Sequence, residues 1–309
     1  MTISPHSQIR WRLAQLAVHL VVALIALVVV GGATRVMEAG LACPDWPLCF
    51  GSFLPGRQMN LQVFLEWFHR LDAFLIGIAL LVQLFLAFSW RSSLPFWYLR
   101  LSALLFFLVL LQGALGAFTV WNLLESHIVT AHLAIGLILV ATMSSLSQKL
   151  LSGNTSPSPI WWRFMAGSSL IGVIGQCLLG GKMATTWSAQ KCLTNQGSCA
   201  LLNMHRSSAI FVACFIFIFI AISLIAGGWP RTQWPFLLPI FLLVILQINL
   251  GILTVSFGLS KPIFVVAHQL LASLLVALLS ALTVRSPGGG VPYNNQVITK
   301  QLSMEPSHG

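Results

Sequence analysis

Four of the eight histidines lie in strongly apolar stretches and repeat at a single spacing. His69 precedes His205 by 136 residues, and His132 precedes His268 by the same 136. Ionisable side chains inside a membrane-spanning helix are costly and usually face the bundle interior or a functional site. Each of the four is expected about five to seven residues past the outer end of its helix, roughly 8–10 Å deep. Two imidazoles at equal depth on two helices favour axial ligation of a haem iron.

Two other uses of these histidines are weaker alternatives. A proton relay, or a pair of structural histidines, explains one pair in one half of the chain but not the same pair twice. A zinc site needs further ligands at tight spacing. The four histidines fall on separate apolar stretches with no such ligands clustered beside them.

One carboxylate accompanies the first histidine pair and is missing from the second. Glu66 precedes His69 by three residues, so both side chains lie on one helical face. The equivalent position before His205 is Leu202. A partly buried carboxylate beside a metal site is a candidate proton acceptor. The alternative is an interfacial glutamate that simply faces water.

An arginine directly follows one histidine of each pair, as Arg70 and Arg206. A guanidinium binds carboxylates strongly, so these arginines are candidates to bind the carboxylates that haem carries. The alternative is an arginine that extends from the helix end to the membrane interface.

Two cysteine pairs occupy loops outside the apolar stretches. Cys43 and Cys49 flank PDWPL, whereas Cys192 and Cys199 flank LTNQGS. Both spacings can close a small loop, and the topology derived below places both on the oxidising side, where disulfides persist. Each pair is therefore either a structural link or a redox-active pair that serves the haem site.

The elements that must position these residues are membrane helices. Of the 309 residues, 57% are hydrophobic and 7% are charged, against about 25% charged in soluble domains. This excludes a soluble enzyme, and the net charge of +10 then indicates basic cytoplasmic loops rather than nucleic-acid binding. Continuously apolar runs predict eight helices rather than strands. They lie near 13–34, 63–89, 97–120, 127–148, 162–182, 205–226, 235–256 and 263–284.

The distribution of basic residues predicts the orientation. With the N-terminus inside, the inner flanks carry a net charge of +8 and the outer flanks carry +2. This asymmetry places both termini in the cytoplasm. No cleavable signal or organelle-targeting segment is evident before the first span, so a bacterial-type cell membrane is expected.

The chain also repeats itself. LQGALGAFTV at 111–120 matches LQINLGILTV at 246–255, and the pair Gly31-Gly32 recurs as Gly180-Gly181. An even number of spans in each half gives both halves the same orientation. The predicted fold is all-α, with eight transmembrane helices as two tandem four-helix bundles related by a pseudo-twofold axis along the membrane normal. The predicted units are a cytoplasmic N-terminus (1–12), a first bundle (13–148), a linker (149–161), a second bundle (162–284) and a disordered cytoplasmic tail (285–309).

Taken together, these motifs resemble the haem A synthase family. The resemblance covers about residues 13–284 and rests on GLACPDWPLC, on EWFHR at 66–70, and on the three later span histidines in a duplicated frame. It implies a membrane oxidase that converts a ring methyl of haem O to the formyl group of haem A for cytochrome oxidase assembly. It also implies haem O synthase as a partner, whereas the electron-transfer partner stays unknown and a homo-oligomer stays an open option.

The resemblance assigns roles to individual residues. His205 and His268 would bind a permanent haem b, with Arg206 beside them. His69 and His132 would hold the haem O substrate, with Arg70 beside them. Glu66 would be the catalytic carboxylate. Cys43–Cys49 would be the functional cysteine pair, and Cys192–Cys199 its counterpart.

Two other functions compete with this interpretation. A membrane thiol–disulfide oxidoreductase would use the cysteine pairs but leave the four histidines unexplained. A dihaem b-type electron-transfer protein would use the histidines but not a carboxylate that is present in only one half.

Overall fold

The computed structural model describes residues 5–152 and 156–287 of the chain. Within these residues the fold is all-α, with no β-strand. Most of the predicted tail, from residue 288 onward, lies outside the described residues, as do the first four residues and three residues of the linker. The helices are α1 (Pro5–Val36), α2 (Leu61–Ser89), α3 (Phe96–Trp121), α4 (Ser126–Ser152), α5 (Ile160–Thr185), α6 (Ser188–Leu193), α7 (Ala200–Ile225), α8 (Gly228–Thr232), α9 (Trp234–Ser256) and α10 (Pro262–Val284).

Eight of these helices are long and apolar enough to cross a membrane, which confirms the predicted set of spans. The protein is a multi-pass membrane protein. The short helices α6 and α8 were not anticipated from hydropathy, because neither has the length of a span. Helix α6 lies in the loop of the second cysteine pair, and α8 lies between two spans.

The long helices pack in two rings that share a contact surface. In the first half α1 contacts α2 and α4, and α3 completes the ring. In the second half α5 contacts α7 and α10, and α9 completes the ring. Helices α1, α4, α5 and α10 form the surface between the halves. If α1, α2, α3 and α4 are exchanged with α5, α7, α9 and α10, the same pairs of helices are in contact. The pseudo-twofold axis itself stays a prediction.

Serine hydroxyls connect the two halves at the centre of the molecule. Ser144 on α4 donates a hydrogen bond to the carbonyl of Ala277 on α10 at 2.6 Å. Ser280 on α10 donates in return to the carbonyl of Ala141 at 2.5 Å. Small polar residues allow close helix approach in a membrane and satisfy their own hydrogen bonds across the contact. These hydrogen bonds fix α4 of the first half against α10 of the second.

The start of α2 fixes the register of the first site. The side chain of Asn60 accepts a hydrogen bond from the backbone N–H of Val63 at 3.0 Å, which caps the helix. The cap places Glu66 in the second turn of α2 and His69 in the third.

Candidate functional site

One large cavity receives side chains from both halves of the molecule. Its volume is about 2010 Å³, and all four repeated histidines line it. A pocket for one drug-sized ligand measures about 300–1,000 Å³. The cavity therefore has room for two large ligands, one in each half.

The histidines approach each other in pairs. His69 on α2 and His132 on α4 lie close to each other and line the cavity in the first half. His205 on α7 and His268 on α10 do so in the second half. His69 is eight residues into its helix, and the others are five or six residues in, close to the depth expected from the sequence. The structure thus brings together the two pairs that the repeat predicted.

A glycine on a neighbouring helix faces each of the four rings. A Cβ atom at these glycines would lie between 2.8 and 3.5 Å from the Cε1 atom of the histidine. The pairs are Gly31 with His69, Gly116 with His132, Gly180 with His205, and Gly251 with His268. Each ring packs directly against a helix backbone. A side chain at Gly31 would displace the ring of His69, whereas a Cβ atom at Gly116 would make an ordinary van der Waals contact with the ring of His132. These glycines were part of the repeats in the sequence, but their role in accommodating the rings was missed.

The polar atoms of the rings suit a haem ligand set. The Nδ1 atoms of His69, His132 and His268 are buried and have no hydrogen-bond partner within residues 5–152 and 156–287. The amide of Gln176 lies 3.2 Å from Nδ1 of His205. The same parts of the chain contain no cluster of three or more His, Cys, Asp or Glu side chains that could hold a metal ion alone. Paired imidazoles in an apolar cavity fit a haem, and each pair would supply the two nitrogen donors that hold it.

Glu66 is buried, with 5% of its surface exposed, and both its oxygens are bonded. Oε1 accepts from Arg70 at 2.5 Å, one turn further along α2. Oε2 accepts from the backbone N–H of Cys43 at 2.8 Å. Glu66 also lines the cavity. The carboxylate thus lies beside the first histidine pair and joins α2 to the first cysteine loop.

Arg70 is held by the same loop. Nη1 donates to the carbonyls of Asp45 and Leu48, each at 2.5 Å, and Nη2 reaches the carbonyl of Cys43 at 3.4 Å. With Glu66, these acceptors engage both terminal nitrogens of the guanidinium. The expected pairing of Arg70 with haem carboxylates therefore has strong competitors within the protein, and it stays a prediction.

The second half lacks this arrangement. Leu202, which replaces Glu66, is buried with 4% of its surface exposed. Arg206 is exposed, lines the cavity, and has no hydrogen bond to any residue in the described parts of the chain. Its guanidinium is available to a ligand, unlike that of Arg70.

Both cysteine pairs form disulfides, Cys43–Cys49 and Cys192–Cys199. The first is fully buried and packs on Val63 of α2.

The first cysteine loop folds around the carboxylate of Asp45. Its oxygens accept from the backbone N–H groups of Phe50 and Gly51 at 2.7 and 2.8 Å. Burial acts to raise the pKa of Asp45, but the N–H groups of Gly51 and Phe50 and the charge of Arg70 outweigh it. The pKa of Asp45 is therefore below its ordinary value, and the carboxylate is ionised where it supports the loop.

Comparisons with known proteins identify the family of the chain. Residues 14–280 match the family described as cytochrome oxidase assembly protein. A heme A synthase of Shewanella oneidensis is 29% identical, over 54% of this chain and 56% of its own length. One of Bradyrhizobium diazoefficiens is 32% identical, over 58% of each chain. One of Azorhizobium caulinodans is 27% identical, over 86% of this chain and 91% of its own length.

The aligned part of the chain spans a little over half the length of the first two of these relatives. The family match, in contrast, runs from the first membrane helix to the last. The chain belongs to the cytochrome oxidase assembly protein family, that of the haem A synthases.

Proposed function

We propose that the protein is a haem A synthase, a membrane oxidoreductase that oxidises the ring methyl of haem O to the formyl group of haem A. The observation that carries this proposal is the duplicated histidine pair with a carboxylate in one half only. Two equivalent pairs supply two haem sites in one cavity. Glu66, the one buried carboxylate among residues 5–152 and 156–287, gives one of these sites a group that can accept a proton.

In this proposal the two sites have different occupants. His205 and His268 hold a resident haem b, and Arg206 binds one of its carboxylates. His69 and His132 hold haem O as the substrate. The resident haem supplies one-electron redox chemistry when bound. The facing glycines let each ring pack against a neighbouring backbone, which fixes the direction in which its nitrogen points.

The contribution of Glu66 is to proton transfer. Oxidation of a methyl group to a formyl group adds one oxygen atom, which water can supply, and releases protons and electrons. In this proposal the electrons pass to the membrane electron-transfer partner, and the protons need an acceptor at the substrate site. A carboxylate within hydrogen-bond reach can accept such a proton, an effect of typically 10²- to 10⁴-fold on rate. Arg70 holds Oε1, and the N–H of Cys43 holds Oε2. These contacts fix the carboxylate beside the first histidine pair, and the Cys43–Cys49 loop covers it.

We also propose that the protein lies in a bacterial-type cell membrane with both termini in the cytoplasm. Reporter fusions at residues 155 and 290 are expected to report a cytoplasmic position, and one at residue 190 an external position. An external position at residue 290 would contradict the proposed orientation. Haem O synthase is the proposed donor of substrate, and a membrane electron-transfer protein is the proposed redox partner.

The experiment that tests the proposed activity is haem analysis in cells. The chain is co-expressed with a haem O synthase in a host without haem A, and the extracted haems B, O and A are separated. Haem A is expected only when both proteins are present. If a haem-free preparation oxidises thiols, the protein is a thiol–disulfide oxidoreductase instead. Stable binding of two haems b without any haem A would identify a dihaem electron-transfer protein.

A further inference from the structure

The second glycine of each Gly-Gly pair faces the opposite half of the molecule. A Cβ atom at Gly32 would lie 1.7 Å from Oε1 of Gln269, the residue that follows His268. A Cβ atom at Gly181 would lie 2.6 Å from Cδ2 of Leu133, the residue that follows His132. In each pair, the first glycine accommodates a histidine of its own half. The second accommodates the neighbour of a histidine in the other half.

Only one of these two contacts between the halves is a hydrogen bond. Nε2 of Gln269 donates to the carbonyl of Val28 on α1 at 2.8 Å. Val28 lies one turn before Gly32, so the amide of Gln269 rests on the turn of α1 that ends there. Leu133 makes an apolar contact at the corresponding place. An amide is a costly side chain within a membrane span, and its hydrogen bond across the contact offsets part of that cost.

This turn of α1 therefore contacts both histidine sites. Gly31, beside Gly32, packs against the ring of His69 in the first site. Gln269 is adjacent to His268 in the second site and donates its hydrogen bond to the same turn of α1. The two sites thus share one short segment of backbone.

We propose that Gln269 is a positioning residue, which aligns α1 and the ring of His69 against the helix that carries His268. This inference rests on the proposed function, because it assigns haem O to the His69–His132 site and haem b to the other. The hydrogen bond from Gln269 holds the α1 turn in the position that the first site needs to bind its haem. The substrate site is then set in part by a residue of the half that holds the resident haem.

The test replaces Gln269 with methionine, which has a similar volume but no hydrogen-bond donor. The matched control is Leu133→Met, at the equivalent contact and next to a ligand of the first site itself. Haem O is titrated into purified protein that retains haem b, and binding is followed by absorption. The resident haem spectrum and the thermal midpoint are recorded for each variant.

We expect Gln269→Met to lower the affinity of the first site for haem O by about 2- to 10-fold, the effect of one hydrogen bond. The haem b spectrum and the thermal midpoint stay as in the unmodified protein. Leu133→Met changes the affinity less than twofold. A second variant, Gly32→Ala, displaces the Gln269 amide and is expected to lower the affinity similarly. Gln269→Ala is measured alone and together with Gly32→Ala. Because the double variant removes the clash, its loss of affinity is expected to be smaller than the sum of the losses of Gly32→Ala and Gln269→Ala.

Three results would overturn the assignment. Unchanged haem O affinity in Gln269→Met would show that its hydrogen bond does not position the first site. An equal loss in Leu133→Met would show a general sensitivity of this contact to packing. Loss of haem b in Gln269→Met would make the residue a part of the second site. Failure of the proposed function looks different, because the unmodified protein would then bind no haem O at the His69–His132 site.

Discussion

The two halves of the protein share their histidines and differ in what surrounds them. In both, two rings meet in the cavity, and each ring packs against a glycine. In the first half Glu66 and the disulfide loop engage Arg70. In the second, Leu202 leaves Arg206 without a protein partner in the described residues, facing the cavity. One ligand frame thus supports two different sites.

The difference between the halves shows which positions of a duplicated site can change while the histidines stay the same. Replacing a histidine removes the ring itself, and a side chain at Gly31 would displace the ring of His69. Changing the residue one turn away, as between Glu66 and Leu202, alters the charge at the site and leaves the rings in place. A free arginine suits a haem that stays bound, since it can pair with a carboxylate of that haem. A buried ion pair with a carboxylate suits a site where protons must leave.

The largest expected effect separates the histidine pairs. If His205 and His268 hold a resident haem as proposed, His205→Ala or His268→Ala would remove one of its two protein ligands and is expected to abolish its binding. His69→Ala or His132→Ala is expected to leave that haem bound while activity is lost. Absorption spectra of the purified variants, with haem analysis of the cells, provide the measurement. Equal loss of haem from all four variants would contradict the division of roles between the halves.

Glu66→Gln is expected to have the next largest effect. Glutamine keeps the shape and can still accept a hydrogen bond from Cys43, but it cannot take up a proton. Formation of haem A is expected to fall by about 10²- to 10⁴-fold, with haem O or a hydroxylated product accumulating. The haem b spectrum is expected to persist. Asp72→Asn, six residues further along α2, is the matched control; an inactive control with an active Glu66→Gln would assign the proton acceptor to Asp72.

Much of the frame could be predicted from the sequence because long apolar runs and repeated histidines are local signals. The contacts of Glu66 could not be predicted from such local signals. Its spacing to His69 places both side chains on one helical face, but Arg70, four residues on, lies on that face too and forms the ion pair with Glu66. The contacts of Arg70 with the Cys43–Cys49 loop depend on how the loop folds back over α2, which no spacing along the chain specifies. The contact of Gln269 with Gly32 likewise depends on packing between the halves.

The arginines provide the third test of the comparison. Arg206→Ala is expected to weaken retention of the resident haem about 10- to 100-fold, as for the loss of a hydrogen bond to a charged group. The measurement is the rate at which haem b transfers to an apo-haem acceptor protein. Arg70→Ala, at the equivalent position, is expected to leave haem b retention unchanged because Arg70 is engaged by Glu66 and the loop. Equal effects of the two substitutions would contradict the proposed asymmetry.

Removal of one disulfide is expected to have a smaller effect than the substitutions above, and this effect too should differ between the two halves. Cys43→Ala is expected to lower turnover several-fold while haem b stays bound, because the loop that holds Glu66 and Arg70 loses its covalent link. Cys192→Ala is the matched control in the other half and is expected to affect turnover less, since no equivalent carboxylate depends on that loop. Haem A production and haem b content are measured together. Full activity of Cys43→Ala would show that the disulfide does not support the first site.

The smallest expected effect is on the acid stability of the first loop, through Asp45. The pKa of Asp45 is below its ordinary value in the folded protein, so the ionised form stabilises the loop. This stabilisation is complete above the unfolded pKa of about 4. It is lost as the pH falls through the lower folded value.

The rate of reduction of Cys43–Cys49 by a phosphine, divided by that of Cys192–Cys199 in the same sample, cancels the pH dependence of the phosphine. This ratio is expected to be constant from about pH 8 to 5 and to rise below about pH 4. Asp45→Asn is expected to reduce the size of that rise. The Cys192–Cys199 loop has no acidic residue and serves as the control within the same molecule. Equal acceleration of both disulfides, or an unchanged profile in Asp45→Asn, would show that Asp45 does not support the first loop.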